Sequence, residues 1–353
     1  MWLGALALLA STAGWWLDRP MFFAAWLAAW WFCLGVMLGA MANASLHALT
    51  GGAWGETLAP ASRALQRPLP WLLLLFVPML GGLPTIYPWS SSPQAWAATM
   101  PHPQFQQAWF APGFFGLRLV VYALVWWWLA RRRQVRSRAV LALAAYMLLT
   151  SLAAVDLLMS LVPAWTSSVF GWLVLIGQMS TGAAAATGLT AMAARRTARN
   201  DSRPPVWRDL GNLMLMYVLL QAYLQFMQFL IIWAENLPRE ISWYVPRLQT
   251  GWWIVGLALM LLQFAAPLLA LLWRRVKDEP RHLARVAACI VFMQAIGSVW
   301  TIVPSVQARG YAAWWLAPLA FAGMGLLLFG SLLFGPRFTA LPATLPEVPD
   351  GRS

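Results

Sequence analysis

The sequence predicts an all-α, polytopic membrane protein of about ten transmembrane helices, and three observations carry that prediction. Hydrophobic residues fill 61% of the 353 positions and charged residues only 10%, far outside the range of soluble domains. Apolar runs of roughly 17 to 28 residues, long enough for a helix to cross a bilayer, recur along the chain. Lys and Arg gather in alternate connections between those runs, the pattern that sets membrane orientation.

The runs are residues 2–17, 21–49, 68–87, 112–130, 139–161, 165–194, 209–234, 247–273, 282–303 and 314–334. The first is short, but it lacks a basic leader and Trp15-Trp16 makes a poor cleavage site, so it reads as a helix rather than a signal sequence. Residues 1–335 form one integral-membrane domain, and 336–353, with Pro336, Pro342, Pro346 and Pro349, reads as a short disordered tail. With the N-terminus in the cytoplasm, 19 of the 24 Lys and Arg fall on the cytoplasmic side and four on the other, the last being Arg118 within a run. The net charge of +13 therefore reflects orientation, with contact to anionic lipid headgroups, and calls for no nucleic acid. The connection Pro88–Ala111 carries no Lys or Arg and is expected to fold over the outer mouth or against a partner.

Ionisable and amide groups at membrane depth are costly, so each is a candidate site residue. Arg118 and Asp156 lie on consecutive antiparallel helices, both roughly 8–9 Å below the outer boundary at 1.5 Å per residue. They are expected to pair, either fixing helix register or letting Asp156 take a proton from a bound ligand. The stretch 209–251 reads as the one around which the chain is arranged. In it Tyr217, Gln221, Gln225, Gln228 and Glu235 share one helix face at about 100° per residue. Lipid would leave those amides unpaired, so they face other helices, as glue or as a path; Gln178 and Gln294 are the plausible partners. His47 sits among Asn43 and Ser45 near the inner end of the second run and reads as a hydrogen-bonded core residue or a further candidate. Cys33 and Cys289 read as packing residues. Three His, two of them in or beside loops, cannot supply paired haem ligands, and no CxxCH, cysteine cluster or phosphate-loop pattern occurs. No metal, haem or iron–sulfur centre is expected in this chain.

Seven segments carry a resemblance: TGGAWG at 50–55, IYPW at 86–89, FFGLRLVVYALVW at 114–126, VDLLMSL at 155–161, DLGNLML at 209–215, QFLIIWAENLP at 228–238 and RLQTGW at 247–252. In this order the chain, from about residue 20 to 305, resembles the F-type integral-membrane subunit (ActF) of bacterial alternative complex III, a quinol:electron-acceptor oxidoreductase related to polysulfide-reductase membrane subunits. The resemblance implies two four-helix bundles flanked by two further helices. It also implies a bacterial inner-membrane subunit with both termini cytoplasmic, partnered by iron–sulfur and c-type haem subunits and the quinone pool. The membrane Asp of that family falls on Asp156. Its following Trp and its acid-Pro-His-Trp are here Leu157 and Val162, Pro163, Ala164 and Trp165, so an acid and a His are missing. An outer cluster of Asp156, Arg118 and Glu235 that relays protons or contacts a quinone headgroup is the expectation. A freestanding secondary transporter and a purely structural subunit are the competing classes.

Overall fold

The computed structural model describes residues 2–98, 100, 102–132, 135–162, 165–196, 204–307 and 313–334, and every regular element among them is helical. The expected tail and the arginines at 133, 199, 203, 309, 337 and 352 lie outside the described residues. The principal helices are α1 (Trp2–Ser11), α2 (Arg19–Thr50), α3 (Ala53–Gln66), α4 (Pro112–Arg131), α5 (Arg136–Leu157), α6 (Phe170–Arg196), α7 (Pro204–Glu235), α8 (Trp252–Leu272), α9 (Pro280–Val306) and α10 (Leu316–Phe334). Seven of them, α2 and α4 to α9, are long and apolar enough to cross a membrane, and α1 and α10 belong to shorter apolar segments. The protein is an all-α polytopic membrane protein.

Two expected spans are not single helices. Residues 2–17 divide into Trp2–Ser11 and Gly14–Leu17. Residues 68–87 break into Leu69–Leu74, Val77–Leu80 and Leu83–Ile86. Each piece has a proline in its first turn, because proline fits there but removes a donor and clashes further in. Gly81-Gly82 separates the last two pieces. Carbonyls freed at the breaks find donors on α2: the Trp30 indole N–H reaches Leu72 O and that of Trp26 reaches Leu75 O, both at 2.8 Å. Hydropathy alone hides such a break, since leucine between prolines scores as apolar as leucine in a helix.

The helices form two groups. α2, the broken segment, α4 and α5 pack together, as do α6, α7, α8 and α9; α2 joins the groups by packing on α6 and α9, and α1 packs on α10. The centre is therefore α2, whose apolar window is 94% buried against 28% for α7. This corrects the expectation that the 209–251 stretch organises the chain. Only a narrow strip of α7 turns inward, while Leu219, Tyr223, Phe226, Phe229 and Trp233 are exposed. α2 earns its position through small residues. A Cβ at Gly39 would lie 1.8 Å from Gln178 O, and one at Gly182 of α6 would lie 2.2 Å from Ala40 N, so the two backbones touch where only glycine fits. At its end, Gly51 and Gly52 take φ of 73° and 96°, a conformation open to glycine, and turn the chain into α3.

The end of the molecule rich in arginine is pinned between α7 and the short helix Arg274–Asp278. Arg208 holds Asp278 through Nε–H···Oδ1 and through Nη2–H···Oδ2 at 2.9 Å, and Lys277 reaches Asn212 at 2.8 Å. The Arg208 hydrogen bond holds the Asp278 carboxyl below its ordinary pKa against the opposing effect of burial. A depressed carboxylate stabilises the native state above its unfolded pKa, and that contribution fades as pH falls through the native value. Thermal melts of the wild type and Asp278→Asn should therefore differ above about pH 4 and converge in more acid solution; a gap that persists or widens there would contradict the pairing.

Candidate functional site

Two polar assemblies lie at membrane depth. The first is built on α4, where Phe115, Arg118, Tyr122 and Trp126 are buried along one face at helical spacing. Arg118 meets Asp156 of α5, which is fully buried. Asp156 Oδ2 accepts from Arg118 Nε at 2.8 Å and from Tyr122 OH at 2.8 Å; Oδ1 accepts from Arg118 Nη2 at 3.1 Å and from Trp109 Nε1 at 2.9 Å. Arg118 Nη1 donates to Trp109 O at 2.6 Å, and the guanidinium lies 4.1 Å from the Trp109 ring centroid. A carboxylate has about four lone-pair sites, and here each is occupied.

The uncharged connection 88–111 closes this assembly. Besides Trp109, Trp89 donates to Ser160 Oγ at 3.2 Å, Ser160 donates to Asp156 O at 2.6 Å, and Tyr87 donates to Leu157 O at 2.8 Å. Phe110 stacks on Trp89. His102 stands outside this network, as the N-cap of the short helix Pro103–Trp109 with no side-chain cap bond.

Glu235 is not part of the cluster. It is exposed at the end of α7, and α7 packs against α6, α8 and α9 rather than against the helices of the pair. Its neighbour is Glu240, whose carboxyl is raised by burial first and then by the Glu235 charge and hydrogen bond. The three-residue outer cluster is thus reduced to the Asp156–Arg118 pair. Pro163 and Ala164, at the departure from the family pattern, lie outside the described residues.

The second assembly is the stripe on α7 and the cavity it borders. Tyr217 donates to Asn43 Oδ1 at 2.7 Å, and Asn43 in turn donates to Gly39 O and Met179 O. Gln294 Nε2 donates to Gln221 Oε1 at 2.7 Å, as expected of that partner. Ser167 donates to Gln228 Oε1 at 3.3 Å, and Tyr244 shares a further hydrogen bond with Gln228. Gln178 pairs across to α5 instead, where Tyr146 OH donates to its Oε1 at 3.1 Å, and its buried Nε2 has no partner among the described residues. Much of the stripe is therefore glue between helices.

The glue borders a cavity of about 740 Å³ between α6, α7, α8 and α9. Gln178, Gln221, Gln225, Gln228, Gln263 and Gln294 all line it. Gln225 is exposed and Gln263 partly so, and among the described residues no side chain engages either amide. The lining also includes Phe226, Phe229, Leu257 and Met260, large apolar side chains that are exposed. Gln263 sits in a π-helical turn, Met260–Ala265. Pro267 has no N–H for the carbonyl of Leu262 five residues back, and Cys289 Sγ donates to that oxygen at 3.4 Å.

One buried cation is not among the candidate residues that the sequence points to. Arg247 is fully buried. Its Nε donates to Trp300 O at 3.1 Å, its Nη1 to Trp243 O, and its Nη2 to Thr301 O at 2.6 Å and Ser305 Oγ at 2.7 Å. Pro304 cannot donate to Trp300 O four residues earlier, so Arg247 fills the gap and places its charge on the carbonyl end of α9. Trp243, 3.6 Å below the guanidinium, lines the cavity on its other face. The available signal was Pro304, one residue beyond the apolar run 282–303 and inside the helix that the structure extends to Val306. His47 is half-buried, with Nε2 2.8 Å from Gly52 O and its ring edge-on to Trp54, a local brace of the α2–α3 turn.

No protein-family model matches this chain, and no characterised protein matches it significantly.

Proposed function

We propose that this chain is a membrane subunit of a quinol:electron-acceptor oxidoreductase complex and that the amide-lined cavity receives the quinone headgroup. Iron–sulfur and c-type haem centres would lie on partner subunits, and the arginine-rich end and both termini would face the cytoplasm of a bacterial inner membrane. One observation carries the reading: Gln225 and Gln263 border one cavity with their amides accessible and no side-chain partner among the described residues. An unmet amide in hydrocarbon costs several kcal/mol, so the cavity calls for a polar guest. Exposed apolar lining calls for a guest with an apolar tail. A quinone has both, and an amide can donate to the oxidised carbonyl or accept from the reduced hydroxyl. The resemblance of the seven segments supports the same assignment.

Asp156 has a different role in this reading. Its lone pairs are taken by Arg118, Tyr122 and Trp109, leaving none for a ligand's proton, and it locks α4 to α5 under the outer connection. The test is purification from native membranes in mild detergent. Haem and iron–sulfur proteins should migrate with the chain, and Gln225→Leu with Gln263→Leu should raise the quinol KM of the assembled complex about tenfold, equivalent to about 1.4 kcal/mol. An isolated protein with solute uptake would make it a transporter. Co-migration with an unchanged KM would make it a structural subunit.

A further inference from the structure

A second cavity, at the arginine-rich end, has chemistry unlike the first. It measures about 770 Å³ and is bordered by α2, α3, the start of the broken segment and the end of α4. Arg63 and Arg67 enter from the end of α3, Arg131 and Arg132 from the end of α4, and no Asp or Glu lines the space. Arg63, Arg67 and Arg131 have no acidic partner among the described residues. Arg131 lies 4.5 Å from the Trp127 ring centroid, which orients its guanidinium at the rim. Ser62 and Gln66 add neutral hydrogen-bonding groups, while Trp54, Leu58 and Leu69 supply apolar walls.

We propose that this cavity binds the headgroup of an anionic phospholipid. Guanidinium forks match phosphate oxygens two at a time, and Arg63, Arg67 and Arg131 line one cavity that no Asp or Glu lines. The site lies at the end of the spans, the level of the lipid phosphates, where basic pockets between helices hold anionic headgroups. Above it, Trp71 and Leu74 of the broken segment and Leu124 of α4 are exposed, and the two elements are in contact. That apolar track suits acyl chains and would be wasted on a soluble anion. The break at 68–87 thereby acquires a use, since a short first piece leaves the groove beside α4 open at its basic end.

The experiment is native mass spectrometry of the full chain titrated with phosphatidylglycerol or phosphatidylcholine. The wild type should retain phosphatidylglycerol about tenfold better, a preference equivalent to about 1.4 kcal/mol. Arg63→Gln with Arg67→Gln and Arg131→Gln should abolish that preference. Arg281→Gln with Arg285→Gln and Lys277→Gln, which removes three charges from the same end outside the cavity, should preserve it. Equal retention of both lipids by the wild type would overturn the proposal, as would equal loss in the control variant. Displacement of phosphatidylglycerol by inorganic phosphate would assign the cavity to a soluble anion instead. Should the triple variant not fold, a salt titration of the wild type decides: phosphatidylglycerol retention must fall between about 0.1 and 0.5 M salt while phosphatidylcholine retention stays constant, and a salt-independent preference refutes the site.

Discussion

Arg118→Gln is expected to lower the stability of the protein in micelles by about 3–5 kcal/mol, the usual consequence of leaving a buried charge without its partner. Asp156 would keep Tyr122 and Trp109 as donors but lose both guanidinium bonds and the compensating charge. Asp156→Asn should be comparably harmful, because the cation is then stranded between aromatic rings. The double variant Arg118→Gln with Asp156→Asn should recover part of the loss, since a neutral pair can hydrogen-bond where a lone charge cannot be solvated. Unfolding titrations of the three variants against wild type measure this coupling. If each single variant stays within about 1 kcal/mol, the range of an exposed pair, the pair is solvated and the lock does not exist.

Gly39→Ala should be nearly as damaging, although it adds a single methyl group. The new Cβ would sit 1.8 Å from Gln178 O and 2.5 Å from the carbonyl carbon, and a helix backbone cannot rotate away as a side chain can. Inserting a methyl into a packed core costs about 1–3 kcal/mol, and here the upper end or beyond is expected because two whole helices must part. The displaced Gln178 should also weaken the Asn43 bond to Met179 O. Thermal melts test the first effect. Gly325→Ala is the control, because a Cβ there meets nothing within 4 Å, and it should melt with the wild type. A Gly39 variant that melts with its control would contradict the backbone contact between α2 and α6.

Much of this architecture was legible because membranes impose length and charge rules that composition expresses directly. Matching depths on consecutive helices were enough to join Arg118 to Asp156, and Gln221 to Gln294 followed from polar spacing on two runs. What stayed hidden depended on distant contacts. Trp109 reaches Asp156 from a connection with no periodicity to read. Tyr122, one turn beyond Arg118, was open to inspection but looks like any interfacial tyrosine. Arg247, one of the four charges on the outer side, gives no sign of its burial in the sequence because its partners are mostly carbonyls, which sequence does not distinguish. Glu235 was assigned to the outer cluster by its register on α7, and register cannot tell which neighbouring helix that face meets. Gly35, Gly39 and the alanines of α2 are the signal of its central place, carried by small residues rather than by polar ones.

Photolabelling tests most directly whether the cavity between α6, α7, α8 and α9 holds a quinone, as proposed. Membranes carrying the protein would be irradiated with an azido-quinone and the labelled peptides mapped by mass spectrometry. Label should concentrate on residues 219–229 and 253–264, fall when excess unlabelled quinol is present, and be lost from Gln225→Leu with Gln263→Leu. Label spread evenly over exposed lipid-facing residues such as Leu117, Leu141 and Leu148, with no competition by quinol, would contradict the account.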